Sequence, residues 1–192
     1  QKSLGAILVR PNGASGQKFM PEAVGSGAAF FDADCDGHLD LYFVNGAAMP
    51  GYEGPTGPNA LFRNDGDGTF SDVTDASGSG DEAFGTAAAT GDYDKHGDPD
   101  LYVANYGANV MYRNDGAGVF DDVTLQAAVG DTGWGAHAAF ADVDRDGDLD
   151  LYLARPSDRL AAGQLRHQGF TAFDAAAAVA QPPAQAFHTD EA

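Results

Sequence analysis

Three nine-residue stretches hold the side chains best suited to chemistry: DADCDGHLD at 32–40, DYDKHGDPD at 92–100 and DVDRDGDLD at 142–150. Numbered 1 to 9, each places Asp at positions 1, 3 and 9 and Gly at position 6. Short carboxylates at this spacing, with Gly37, Gly97 or Gly147 turning the chain sharply, can converge on one hard divalent cation that takes six to eight oxygens at ~2.3–2.6 Å. With no cation they repel, since two carboxylates ~5 Å apart at an effective dielectric of ~20 oppose each other by roughly 3 kcal/mol. The candidate side-chain ligands are Asp32, Asp34, Asp36 and Asp40 in the first stretch and Asp142, Asp144, Asp146 and Asp150 in the third. The second offers Asp92, Asp94 and Asp100 but has His96 at position 5, a poor ligand for calcium. It is therefore expected to be the weakest site or to complete its shell with water, giving two or three calcium ions per chain.

The opening D-x-D-x-D-G is shared with EF-hand loops, which require a bidentate Glu at position 12 and a helix on either side. Position 12 here is Phe43, Val103 or Leu153, and each lies in an apolar run, DLYFVN, DLYVAN or DLYLAR, that reads as a strand. An EF-hand is excluded, and position 9 is left to close the site.

The elements that must position these loops also recur. A Gly stands seven residues before the first Asp of each loop, at Gly25, Gly85 and Gly135. Between the acidic units lie NALFRNDGDGTFSDVT (59–74) and NVMYRNDGAGVFDDVT (109–124), apolar and aromatic residues flanking a turn that demands positive φ, the pattern of a β-hairpin. Asp65, Asp67 and Asp115 in those turns are read as turn formers. Weaker hairpin copies are expected at 6–19 and 163–173, with Arg63, Arg113 and Arg166 at one shared position in a structural ion pair. The loops are 50 residues apart from Asp92 to Asp142 and 60 from Asp32 to Asp92, the difference being a Pro- and Gly-rich excursion, MPGYEGPTGPN, at 49–59. Four short strands at this period predict an all-β chain of β-propeller blades, each a four-stranded antiparallel sheet. The expected division is a half blade at 1–24, repeats at about 25–80, 81–130 and 131–176, and a flexible tail at 177–192. That is about three and a half blades, to be completed by a second copy or by further chain, or closed as a strained four-bladed ring.

Composition excludes several functions. The formal net charge is −19 and the carboxylates are 25 Asp against 4 Glu, a bias toward loops over helices. Such a charge repels nucleic acid and anionic membrane surfaces. No apolar run reaches membrane-spanning length, so neither nucleic-acid binding nor membrane insertion is expected. Cys35 is the only cysteine, which rules out an intrachain disulfide and a cysteine-based zinc site.

The pattern FG or WG, a short strand, then D-x-D-x-D-G-x-x-D-L-Y resembles the FG-GAP repeat of integrin α-subunit propellers and of related bacterial VCBS-type repeat proteins. The coupled N-x-L-F/Y-R-N-D-G-x-G-x-F-x-D-V-T hairpin is similar to the ASPIC/UnbV branch. The resemblance covers roughly residues 6–173 and implies calcium in hairpin loops between strands of successive blades, on a protein that is extracellular, on the cell surface or periplasmic. It adds main-chain carbonyl ligands at position 7, at His38, Asp98 and Asp148. The function favoured is a non-catalytic binding, adhesion or scaffold module for a protein or glycan ligand, and the incomplete count of blades adds an expectation that the chain self-associates.

Two other functions stay open on sequence grounds. One is a propeller enzyme or accessory subunit acting on polysaccharide, with His137, His96 and Tyr52 as candidate residues; no grouping of nucleophile, base and orienting acid recurs, which favours the non-catalytic reading. The other is a structural subunit of a fibre or surface assembly. Trp134 aligns with Phe84 and is expected in the core, His137 is expected to be packed, and Cys35 is expected to be a free thiol pointing away from the ion.

Overall fold

The computed structural model describes residues 13, 15, 16, 21, 22 and 26–155, together with the backbone of 170–174. Its strands are β1 (Ala28–Phe31), β2 (Asp40–Phe43), β3 (Ala60–Asn64), β4 (Phe70–Asp72), β5 (Phe84–Gly91), β6 (Asp100–Tyr106), β7 (Val110–Asn114), β8 (Phe120–Asp122), β9 (His137–Ala141), β10 (Asp150–Ala154) and β11 (Phe170–Asp174). They form an antiparallel four-stranded sheet β1-β2-β3-β4, a second four-stranded sheet β5-β6-β7-β8, and a three-stranded sheet β11-β10-β9. This is the blade architecture expected from the repeat. Each acidic stretch is the tip of the hairpin joining the first two strands of one sheet, and its position 9 is the first residue of the second strand.

The sheets stack face to face with their first strands, β1, β5 and β9, side by side. Alternation along each strand sends one set of apolar residues to each neighbour. Phe31, Tyr42, Val44 and Leu61 of the first sheet meet Leu101, Val103, Tyr112 and Phe120 of the second. On its other face the second sheet packs Tyr102, Ala104, Met111 and Val123 against Leu151 and Leu153 of the third. Leu101, Tyr102, Val103, Leu151 and Leu153 have no exposed surface at all. Burying each such side chain is worth ~1.5–3 kcal/mol, so the two junctions dominate the stability of the stack. Sizes are matched across them. Small Gly91 faces the ring of Phe140, close enough that a Cβ on the glycine would stand 3.0 Å from that side chain. At the other junction the bulk is reversed, since Phe31 holds the place of Gly91 and Thr90 the place of Phe140.

Two short helices, α1 (Thr74–Ser77) and α2 (Thr124–Ala127), follow β4 and β8 and were not expected. Four residues are too few to show a helical period. Each is set up by the Asp of the D-V-T triplet: Asp72 Oδ1 accepts from Thr74 N at 3.1 Å, and Asp122 Oδ1 accepts from Thr124 N at 2.9 Å. Left-handed residues then end them, Gly78 with φ 73° and Ala128 with φ 55°.

The third sheet corrects the expected hairpin at 163–173. Phe173 pairs with Leu151 as Tyr112 pairs with Leu101, so Phe170–Asp174 takes the place of β7 and Asp174 stands at the position of Arg113; Arg166 lies outside the described residues. Trp134 is only half-buried, its ring edge-on to Tyr106 with centroids 5.9 Å apart, and His137 is exposed, so neither is a core residue. The expected half blade at 1–24 lies mostly outside the described residues, and the tail at 177–192 wholly so.

Candidate metal centre

The three loops share one plan. The position 1 carboxylate closes each one by accepting backbone amides across the turn. Asp32 takes Asp36 N at 3.0 Å and Gly37 N at 2.9 Å, Asp92 takes His96 N at 3.1 Å and Gly97 N at 3.0 Å, and Asp142 takes Arg145 N at 2.7 Å and Gly147 N at 3.1 Å. Gly37, Gly97 and Gly147 have φ of 89°, 100° and 91°, which favours glycine at position 6. Position 4 is also left-handed but carries a side chain each time: Cys35 at φ 57°, Lys95 at 62° and Arg145 at 64°. A non-glycine residue held there three times over points to a constrained turn.

The closing aspartate braces the loop against the rest of its sheet. Asp40 accepts from Ala33 N at 2.8 Å and from Asn64 N, on β3, at 2.7 Å. Asp100 does the same with Tyr93 N at 3.0 Å and Asn114 N at 2.9 Å, and Asp150 takes Val143 N at 3.1 Å. Asp40 and Asp100 are each 1% exposed. Burial pushes both carboxyls above their usual range, Asp100 to about 7, against the opposing pull of the donated amides.

The loops bring three carboxylates together each time. Asp32, Asp34 and Asp36 offer oxygens within 4.8 Å of one another, as do Asp142, Asp144 and Asp146. In the second loop the trio is Asp92, Asp94 and Asp100, the buried closing aspartate standing in where position 5 is His96. His96 turns instead to Asp94, with Nδ1 2.8 Å from its Oδ1, and that hydrogen bond raises the imidazole pKa. Asp40 and Asp150 are outside the trios of their own loops. Asp34 Oδ1 is buried with no hydrogen-bond partner, an acceptor that a cation would satisfy. The donor set is all oxygen and anionic, which suits calcium or magnesium over a transition metal. These residues fit a hard divalent ion, and the position 7 carbonyls of His38, Asp98 and Asp148 are adjacent in the same turns.

Successive loops also touch, which the sequence reading missed. The thiol of Cys35 donates to Asp98 Oδ1 at 3.4 Å, and Lys95 forms an ion pair with Asp148. Position 4 of one loop thus reaches position 7 of the next. The opposite charges of Lys95 and Asp148 were the available signal, hidden because the first pair is a thiol and a carboxylate. Cys35 is free and exposed as expected. Asn114 adds a second link, its Nδ2 donating to Ala33 O at 2.8 Å.

Arg63 and Arg113 are in ion pairs, with Asp65 at 3.3 Å and Asp121 at 3.1 Å. The candidate residues of the enzymatic reading do not converge. His96 is at the acidic tips, whereas His137 begins β9 and Tyr52 lies in the 44–59 connection, both at the opposite end of their sheets.

A family model for the FG-GAP-like repeat matches the chain twice, at residues 32–103 and 92–153, which together cover more than half of it. The chain belongs to the FG-GAP-like repeat family. Each match runs from position 1 of one acidic loop into the second strand of the next sheet, so the FG-GAP unit spans the junction between neighbouring sheets as well as the loop itself. No curated protein matches the chain. As an FG-GAP chain with antiparallel four-stranded sheets, it is a repeat module of the binding or adhesion type. Among the described residues no helix is long and apolar enough to cross a membrane.

Proposed function

We propose that the chain is a calcium-stabilised binding or scaffold module that works outside the cell or in the periplasm, with a protein or glycan as its ligand. The observation that carries this reading is the repeated trio of carboxylate oxygens within 4.8 Å, joined in the first loop by the unpartnered Asp34 Oδ1. Bound calcium would supply charge compensation. The chain's own residues do the rest: position 1 closes each turn, position 9 ties the turn to the sheet, and position 3 supplies charge together with position 5 in the first and third loops and Asp100 in the second. Extracellular calcium modules bind at ~10⁻⁴–10⁻³ M, where the ion is a permanent part of the fold. The acidic rim is then a fixed frame. The connection 44–59 at the other end, with Glu53, Pro55 and Thr56 exposed, offers a contact surface for the ligand.

Titration calorimetry on chelator-treated protein tests the reading. Calcium is expected to bind at two stronger sites and one weaker one, and magnesium to compete poorly. Asp34→Asn together with Asp144→Asn should remove the two stronger sites and leave the weak one. Absence of calcium heat in the unmodified chain would overturn the proposal.

A further inference from the structure

Asn114 touches two of the acidic loops at once. It is the last residue of β7 and is buried between the first and second sheets. Its backbone N–H donates to Asp100 Oδ1 at 2.9 Å, and Asp100 is the buried aspartate that completes the second trio. Its side-chain oxygen accepts from Gly116 N at 3.1 Å, which turns the amide nitrogen toward two carbonyls. One is Pro99 O at 3.1 Å, next to Asp100, and the other is Ala33 O at 2.8 Å. Ala33 belongs to the first loop, between Asp32 and Asp34 of the first trio. Its carbonyl is part of the planar peptide unit that leads into Asp34, so holding that oxygen also holds the backbone from which the Asp34 carboxylate projects. The turn beyond β7 lies against the same trio, since a Cβ on Gly118 would stand 3.4 Å from Asp34 Cβ.

The first sheet supplies an internal control. Asn64 holds the place of Asn114 there: its N–H donates to Asp40 Oδ1 at 2.7 Å, its Nδ2 to Leu39 O at 3.2 Å, and its Oδ1 accepts from Gly66 N at 3.1 Å. Asn64 thus repeats the contacts that Asn114 makes within its own sheet, but Asp40 is outside the first trio. The second and third loops are joined differently, through the Lys95–Asp148 ion pair, whose lysine is largely exposed and which contributes little for that reason.

We propose, on the reading that these loops hold calcium, that Asn114 couples the first two sites, so that an ion in the first loop strengthens binding in the second. Without an ion, the carboxylates of Asp32, Asp34 and Asp36 repel one another and loosen their loop. An ion draws them together and fixes the Ala33–Asp34 peptide against the Asn114 amide. The Asn114 side chain is then already ordered when the second ion engages Asp100, and its entropy is lost once for both sites. Linkage makes the effect mutual. Asn114 is a positioning residue, acting through Asp100 and the Ala33–Asp34 peptide, and the third loop stays independent.

Calorimetry on chelator-treated protein carrying Asp144→Asn, which empties the third loop and leaves two sites, tests this. Adding Asp34→Asn, which empties the first loop, is expected to weaken the second site at least about fivefold. The sign is diagnostic. An occupied first trio holds three carboxylates and a divalent ion, net −1, whereas the emptied variant holds two carboxylates, net −2, so charge alone would tighten the second site. Asn114→Ala should abolish the dependence, giving the second site one affinity with or without Asp34→Asn, and Asn64→Ala should preserve it. Asp94→Asn, which empties the second loop and leaves Asn114 unaltered, should weaken the first site by the same factor. A second site indifferent to Asp34→Asn, a first site indifferent to Asp94→Asn, or a dependence that survives Asn114→Ala would overturn the link while leaving calcium binding intact. Absence of calcium heat in the unmodified chain would overturn both.

Discussion

Chelation of calcium should lower the melting temperature by an amount that the three loops fix. The first and third loops each hold three side-chain carboxylates at positions 1, 3 and 5, whereas the second recruits Asp100, which already holds two backbone amides. At about 1 mM calcium and a dissociation constant of ~10⁻⁴ M, one occupied site stabilises the folded chain by roughly 1.4 kcal/mol. Two sites give about 3 kcal/mol and a third brings this to about 4 kcal/mol. In a chain of this size each kcal/mol moves the midpoint by ~2–4 °C, so the expected fall is ~6–16 °C. Asp36→Ala combined with Asp146→Ala should cut the calcium-dependent part to that of the weaker second loop, at most about 3–6 °C. In chelator the same double variant should be no less stable than the parent chain, because it has lost mutually repelling charges. Calorimetric melting of both proteins, with calcium and with excess chelator, measures all four values. A parent chain whose midpoint ignores chelation, or a double variant that keeps the whole shift, would refute the reasoning.

Two further predictions concern groups beside the loops. Asp100 keeps its proton in the folded chain up to about pH 7 but loses it near pH 4 when unfolded, so the folded state binds more protons between those values. Chelated protein should therefore lose stability as pH rises through that window, by at most ~1.4 kcal/mol per pH unit from this group, and Asp100→Asn should flatten the slope in denaturant titrations at successive pH values. Arg155 occupies the place of Asn45 and Asn105 and forms an ion pair with Asp131 across the second junction, as Asn105 Nδ2 donates to Asp81 Oδ2 at 2.7 Å across the first. Arg155→Ala should cost about 1–2 kcal/mol by urea unfolding, discounted for the partial exposure of the arginine, and Arg155→Asn should recover part of it.

The loops and sheets were legible because their signals are local and repeated. Asp at 1, 3 and 9 with Gly at 6 fixes a turn within nine residues, and D-L-Y fixes the strand that leaves it. What the sequence hid depends on contacts between repeats. Cys35 and Asp98 are 63 residues apart, and nothing in either residue type announces the pair. The placement of β11 was misread because GQLRHQGF imitates the hairpin signature, while the pairing of Phe173 with Leu151 is set by which side of β10 remains open. His137 was misjudged because its equivalents, Gly27 and Ala87, are small. A histidine fits there only because it can point to water at the end of the sheet.

The 44–59 connection enters and leaves its sheet at the end away from the acidic tips, and the second sheet spans the same gap with only residues 107–109. Asn45 N donates to Asn59 Oδ1 at 2.6 Å and Asn105 N to Asn109 Oδ1 at 2.7 Å, so the two necks are tied identically whatever length hangs between them. Insertions there leave strand register and ion ligands untouched. A graft at residues 50–56 should thus inherit a finished scaffold, with the strand pairing and the acidic loops at the opposite edge left in place.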